Sequence, residues 1–226
     1  MKIGILQTGH VPEALEELGT YPALFEKLLS DQGFEFETYS VVDNLFPDSI
    51  TACDGWLITG SRHGAYEDHD WIPPLEKLIQ EIYAAEMPLV GVCFGHQIIA
   101  QALGGTVVKF DQGWAVGAQE YDWQGETITQ NAWHQDQVID RPDGADVLAS
   151  NNFCENAALI YGERAFTVQW HPEFEANFID GLIQHRGKGV VPEDLLTQAT
   201  ANLDRPVANH RVAQQIGRFF RERRLS

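Results

Sequence analysis

Within its first hundred residues the chain alternates strand signals with segments whose apolar residues recur at helical spacing, and few folds accept that pattern. Lys2 to Gln7, Phe34 to Val41 and Gly55 to Thr59 read as strands, while Pro22 to Ser30 sets Ala23, Leu24, Leu28 and Leu29 on a helical repeat. Trp71 to Glu86 has two prolines near its start and carries Ile72, Leu75, Leu78, Ile79 and Ile82 on one face, so the spacing predicts a helix. Strands alternating with helices imply a mostly parallel sheet with helices on both faces, the three-layer α/β class. From about 106 to 169 the texture changes to short β runs with Gly and Asn turns, such as Trp114 to Tyr121 and Glu126 to Thr129. These predict a small antiparallel extension beside the main sheet.

With 226 residues and 44% hydrophobic content the chain can bury a full core, and it has no internal repeat, low-complexity tract or linker. The expectation is one domain over 1–226, with a core of about 1–185 and C-terminal helices over about 190–226. In the latter, Ala208, Val212, Ile216 and Phe219 recur at helical spacing, as in a helix packed on the sheet. Arg218, Arg221, Arg223 and Arg224 near its end are cations that the helix dipole favours there, and read as a solvated face. No apolar run approaches a membrane span, and Met1 to Leu6 is too short for a signal peptide. Three widely spaced cysteines argue against a disulfide framework and for a cytoplasmic location. A net charge of −18 disfavours nucleic acid and anionic membranes as partners.

One junction carries chemistry. The apolar run Pro88 to Val92 passes into a helical pattern through Gly91-Val92-Cys93-Phe94-Gly95. A cysteine between two glycines at a strand-to-helix turn reads as a nucleophile elbow, the glycines allowing a tight fold and close approach of a substrate. At a helix N-terminus the dipole favours thiolate over thiol. The competing reading is a buried, inert cysteine at the end of a core strand. A base decides between them, and Trp170-His171-Pro172-Glu173 follows a second strand-like run, Ala165 to Gln169. His171 therefore lies at a strand end, as Cys93 does, where parallel sheets place their ligand crevice. Pro172 suits the first position of a new helix, and Glu173 could accept a hydrogen bond from the imidazole and fix its tautomer.

Gly91 to Gln97 followed by Gly104-Gly105, together with Trp170 to Phe174 about 80 residues on, resembles the class I (triad) glutamine amidotransferases. Within them, Phe46-Pro47-Asp48, Asp54 to Ser61, Tyr66-Glu67-Asp68 and Asp70-Trp71-Ile72 are similar to stand-alone relatives of the GMP synthase glutaminase, including γ-glutamyl peptidases. The resemblance covers roughly residues 1–185 and implies a flavodoxin-like fold, no cofactor, and Cys93, His171 and Glu173 as a triad. It implies an oxyanion hole from the backbone N–H of Phe94 and that of Gly60 or Ser61, where Gly60-Ser61-Arg62 departs from the family's Gly-Gly-Pro. It assigns Gln97 to the substrate's α-amino-acid end. The segment Asn131 to Asp136, with Trp133, His134 and Gln135, would grip the glutamyl carboxylate and amine, although Trp133 replaces the family's serine. Gln112-Gly113-Trp114 offers a further wall, or Trp114 is a core residue.

Two clusters read otherwise. His63, Glu67, Asp68, His69 and Asp70 lack a tetrahedral Cys/His spacing or an HExxH helix and precede a helix start that favours acids, so no metal is expected. Cys154 lacks an elbow and reads as a turn cysteine near the surface. The activity implied is cysteine-dependent hydrolysis of a small-molecule γ-glutamyl amide through a thioester. The chain has no Walker-type phosphate loop, so it either hydrolyses γ-glutamyl compounds alone or supplies ammonia to a partner synthetase subunit. A non-catalytic γ-glutamyl-ligand binder is the third reading, and an activated thiol argues against it.

Overall fold

The computed structural model describes residues 1–225. Its centre is a set of parallel strands: β1 (Lys2–Leu6), β2 (Glu35–Tyr39), β3 (Gly55–Ile58), β4 (Leu89–Val92) and β11 (Ala165–Val168), adjacent in the order β2-β1-β3-β4-β11. Alternation along them sorts side chains to two faces. Ile3, Ile5, Leu57, Val90, Val92 and Phe166 enter one core; Leu6, Trp56, Ile58 and Leu89 enter the other. The helices α2 (Ile72–Ala84) and α3 (Phe94–Ala102) cover the second face with Leu75, Ile79, Ile82, Ile98 and Ile99. The first is covered by α1 (Tyr21–Leu28) through Phe25 and by the C-terminal α6 (Asn209–Glu222) through Val212, Ile216, Phe219 and Phe220. Thr20 caps α1, accepting a hydrogen bond from the Ala23 N–H, as a helix start requires.

The antiparallel strands differ from the expected extension beside the sheet. β6 (Ala115–Trp123), β7 (Glu126–His134), β9 (Asp146–Ser150) and β10 (Ala158–Tyr161) continue the main sheet itself past β11, giving nine strands ending in β10-β9-β6-β7. Among the described residues, only β5 (Thr106–Lys109) and β8 (Asp136–Asp140) form a separate two-stranded ladder. Long side chains explain the continuity: Tyr121, Trp123 and Trp170 pack into the same core as the parallel strands.

Two further expectations are corrected. Pro172 opens a turn rather than a helix, and the next helix, α4 (Ala176–Leu182), begins four residues later. The turn is held by Phe174 N–H donating to the His171 carbonyl and by Asn131 Nδ2 donating to the Phe174 carbonyl. Phe174 and the α4 residues Phe178 and Ile179 join a third core, to which α5 (Glu193–Ala201) adds Leu196 and Ala199. Cys154 is not near the surface: it is 1% exposed among Tyr121, Trp170 and Phe166, and burial pushes its thiol up to about 12. Among the C-terminal arginines, Arg218 and Arg224 pair with Glu222, and Arg221 donates to Gln32. No helix among the described residues is long and apolar enough to cross a membrane.

Candidate active site

Cys93 lies at the turn from β4 into α3, with φ 53° and ψ −103°. A non-glycine residue held at positive φ costs on the order of 1–3 kcal/mol and persists only where its surroundings over-determine it. They do so here. Cys93 N–H donates to the Val168 carbonyl at the end of β11, and the Cys93 carbonyl accepts from Gln97 N–H, starting the helix. The glycines on either side answer a packing need. A Cβ on Gly95 would lie 2.3 Å from the Ile58 carbonyl oxygen, and one on Gly91 would lie 2.5 Å from the Gly95 carbonyl oxygen. Both glycines therefore seat the elbow against β3 and α3 rather than clear a path for a ligand.

The adjacent parallel strands β4 and β11 end side by side, which brings Cys93 and His171 together although 78 positions separate them in sequence. His171 is fixed on three sides. Its N–H donates to the Asn131 carbonyl, its ring stacks on Phe174 at 4.0 Å and 7°, and its Nδ1 lies 2.7 Å from Glu173 Oε1. Burial alone would lower the basicity of this imidazole. The Glu173 carboxylate and the neighbouring Cys93 outweigh it and raise His171 to about 10. With Nδ1 on Glu173, Nε2 is left for Cys93 and whatever Cys93 attacks.

Gly60 packs under the imidazole: a Cβ there would lie 2.9 Å from His171 Cε1. The Gly60 carbonyl accepts from the Thr8 and Thr59 hydroxyls, each at 3.0 Å. In a trans peptide the N–H points opposite to the carbonyl, so the Ser61 N–H is directed away from both threonines. The Ser61 hydroxyl is itself committed, donating to the Thr8 carbonyl at 2.7 Å and accepting from His63 N–H.

Cys93 and His171 open into a cavity of about 520 Å³, walled also by Ser61, Gln97, Trp133 and Gln135. Gln97 is buried, its Nε2 donating to the Asp136 carbonyl and to Gln169 Oε1. His134 is buried with Nδ1 against the Asp136 carbonyl, and burial lowers it to about 3, so it is a neutral group there. Trp114 also borders the cavity. Thus Ser61, Gln97, Trp133, His134 and Gln135 share one cavity with Cys93 and His171, and Gly60 lies behind the imidazole. The sequence missed the wall from Val11 to Glu13 after β1, Tyr21, Lys109 and Arg186. They come from segments far apart in the chain and carry no local motif, so only the fold assembles them.

Of the metal-like cluster, His63, Glu67 and His69 come together at this cavity's rim, their ligand atoms within 4.8 Å of one another. A second cavity of about 540 Å³, by Tyr83, Arg164 and Arg223, lies by the start of β4 and β11, the end of the sheet away from Cys93. Its lining holds neither a cysteine nor a histidine.

A family model described as glutamine amidotransferase class-I matches residues 23–181. The chain is 27% identical to gamma-glutamyl peptidase 4 of Arabidopsis thaliana over 94% of its own length and 92% of that protein. It is 28% identical to one subunit of the glutamine-hydrolysing GMP synthase of Halobacterium salinarum, over 69% of this chain and 84% of that one. The fold matches a crystal structure of a glutamine amidotransferase from Methylobacillus flagellatus with a TM-score of 0.74 and 19% identity, covering 99% of this chain and 92% of the other.

Proposed function

The chain belongs to the class-I glutamine amidotransferase family, and from that premise we propose that it is a stand-alone hydrolase of γ-glutamyl amides with Cys93, His171 and Glu173 as its triad. One observation carries the reading: a positive-φ cysteine at the end of β4 beside a buried histidine at the end of β11, whose far nitrogen is held by a buried carboxylate. Cys93 thiolate attacks the γ-carbonyl carbon and a C–S bond forms. The oxyanion is met by the Phe94 N–H and, because Thr8 and Thr59 orient the Gly60 carbonyl, by the Ser61 N–H rather than that of Gly60. His171 protonates the departing nitrogen, the C–N bond breaks, and a γ-glutamyl thioester remains. Water that gives its proton to His171 then breaks the C–S bond, releasing glutamate and restoring the thiolate. Gln97, whose amide nitrogen is engaged within the protein, presents its Oε1 to the substrate ammonium; Trp133, His134 and Gln135 enclose the glutamyl portion.

Substrates with a carboxylate beyond the scissile bond fit the cavity's cations, Arg62, Lys109 and Arg186, on a chain whose net charge is −18. γ-Glutamyl peptides have that carboxylate and ammonia does not, and the γ-glutamyl peptidase likeness over nearly the whole chain points the same way. A second reading, a glutaminase subunit serving a synthetase, rests on the likeness to the GMP synthase subunit of Halobacterium salinarum. Release of glutamate from glutamine and from a panel of γ-glutamyl peptides, with and without cell extract, distinguishes them. Peptide turnover by the isolated chain supports the hydrolase; glutaminase activity that emerges only with a partner supports the second reading. Cys93→Ala should abolish turnover with the fold intact by circular dichroism, and substantial residual activity would overturn the triad.

A further inference from the structure

The loop joining β3 to α2 brings three donors to one point outside the proposed triad. His69 Nε2 lies 2.7 Å and His63 Nδ1 3.3 Å from the same oxygen, Glu67 Oε2. The side chains are neither sealed nor free, His69 being 34%, His63 18% and Glu67 42% exposed. Their orientation is imposed by a buried neighbour: Trp71 stacks on the His69 ring at 12° and meets the His63 ring edge-on, both at 5.9 Å. The backbone is equally fixed, with Glu67 N–H on the Gly64 carbonyl, His69 N–H on that of Glu67 and Ile72 N–H on that of His69. Two imidazoles and a carboxylate converging from one braced loop form an N,N,O donor set, and such a set with open positions suits zinc and neighbouring first-row divalent cations.

We propose that His63, Glu67 and His69 bind one divalent transition cation of the zinc class at the rim of the cavity that holds Cys93. His63 and Glu67 border that cavity, which places the donor set at its mouth. Trp71, which braces both rings, also packs on Phe94 at 5.5 Å, so one side chain links the donor set to the elbow. The ligands are invisible as a spacing pattern because one residue separates Glu67 from His69, and the loop's turn, rather than a helix, brings them together.

This binding does not depend on the hydrolase reading, and the test separates the two. Cobalt(II) is titrated into untagged wild-type and Cys93→Ala proteins, followed by visible absorption and by competition with zinc. Saturation at one equivalent with the intense bands of a low-coordinate centre, alike in both proteins, is the result expected. His69→Ala, and Glu67→Gln as a shape-preserving variant, should each weaken binding by at least the roughly 10–100-fold that losing even an outer-shell partner costs. Circular dichroism verifies that each variant is folded. Absence of the bands, binding unchanged in both variants, or binding lost in Cys93→Ala, which would put the cation on the nucleophile, each overturns the site.

Discussion

In the proposed triad, Glu173 is the residue on which the chemistry of the imidazole turns. Its side chain is buried, one oxygen accepts from His171, and the other has no hydrogen-bond partner within the protein, so the imidazole is its one hydrogen-bonded neighbour. Glu173→Gln keeps the shape and removes that charge. His171 should then titrate lower, and kcat should fall about 10²- to 10⁴-fold. The alkaline limb of the rate profile should move to lower pH with it, and a profile that stays in place would show that Glu173 does no more than pack. These candidate residues, which the fold brings together, were legible in the sequence because each motif is contiguous: a glycine-flanked cysteine after an apolar run, and a histidine two residues before an acid. The proposed assignment of the oxyanion donor to Ser61 rather than Gly60 was not legible, since it rests on the Thr8 hydroxyl more than fifty residues away.

Among the elements, α6 joins the first core although its sequence is rich in arginine. Phe219 is fully buried 6.0 Å from the Phe166 ring, so the helix seals the face of the sheet that carries β11. Phe219→Ala should cost about 3–5 kcal/mol in urea denaturation with kcat per folded molecule unchanged. A cost below about 1 kcal/mol would make α6 peripheral to the core. Helical spacing of Val212, Ile216 and Phe219 announced this element, as it did α2. The helix expected at Pro172 is different. Proline is compatible with a helix start, but hydrogen bonds from Phe174 to His171 and from Asn131 to Phe174 hold the segment in a turn, and Asn131 lies on a strand that no local rule connects to it.

Across the molecule, three buried histidines set opposing pH responses. Burial lowers His96 and His134 from 6.5 to about 3, so below 6.5 the unfolded chain takes up protons that the folded protein refuses. Stability should fall with pH from there, with a slope approaching about 2.7 kcal/mol per pH unit before carboxylates contribute. His171 works the other way. Raised from 6.5 to about 10, it contributes stability that is fully present below 6.5 and lost as pH rises through 10. Denaturation midpoints measured across pH should therefore peak near neutrality, and His96→Gln should halve the acid slope; an unaltered slope would place the cause elsewhere. The parallel half of the sheet was legible because its strands are short runs of β-forming residues, largely apolar in β1, β3, β4 and β11 and mixed polar and apolar in β2. That the antiparallel strands join the same sheet was not, because their pairing depends on which aromatic side chains reach the shared core.

The pairing of β4 with β11 has a consequence in time as well as in space. A chain emerging from the ribosome displays its elbow cysteine long before the strand that bears His171 has been synthesised. Until β11 docks, Cys93 lacks both the imidazole and the Val168 carbonyl that holds its backbone. The nascent protein thus carries the proposed nucleophile unarmed, and arming it is the same event as closing the centre of the sheet.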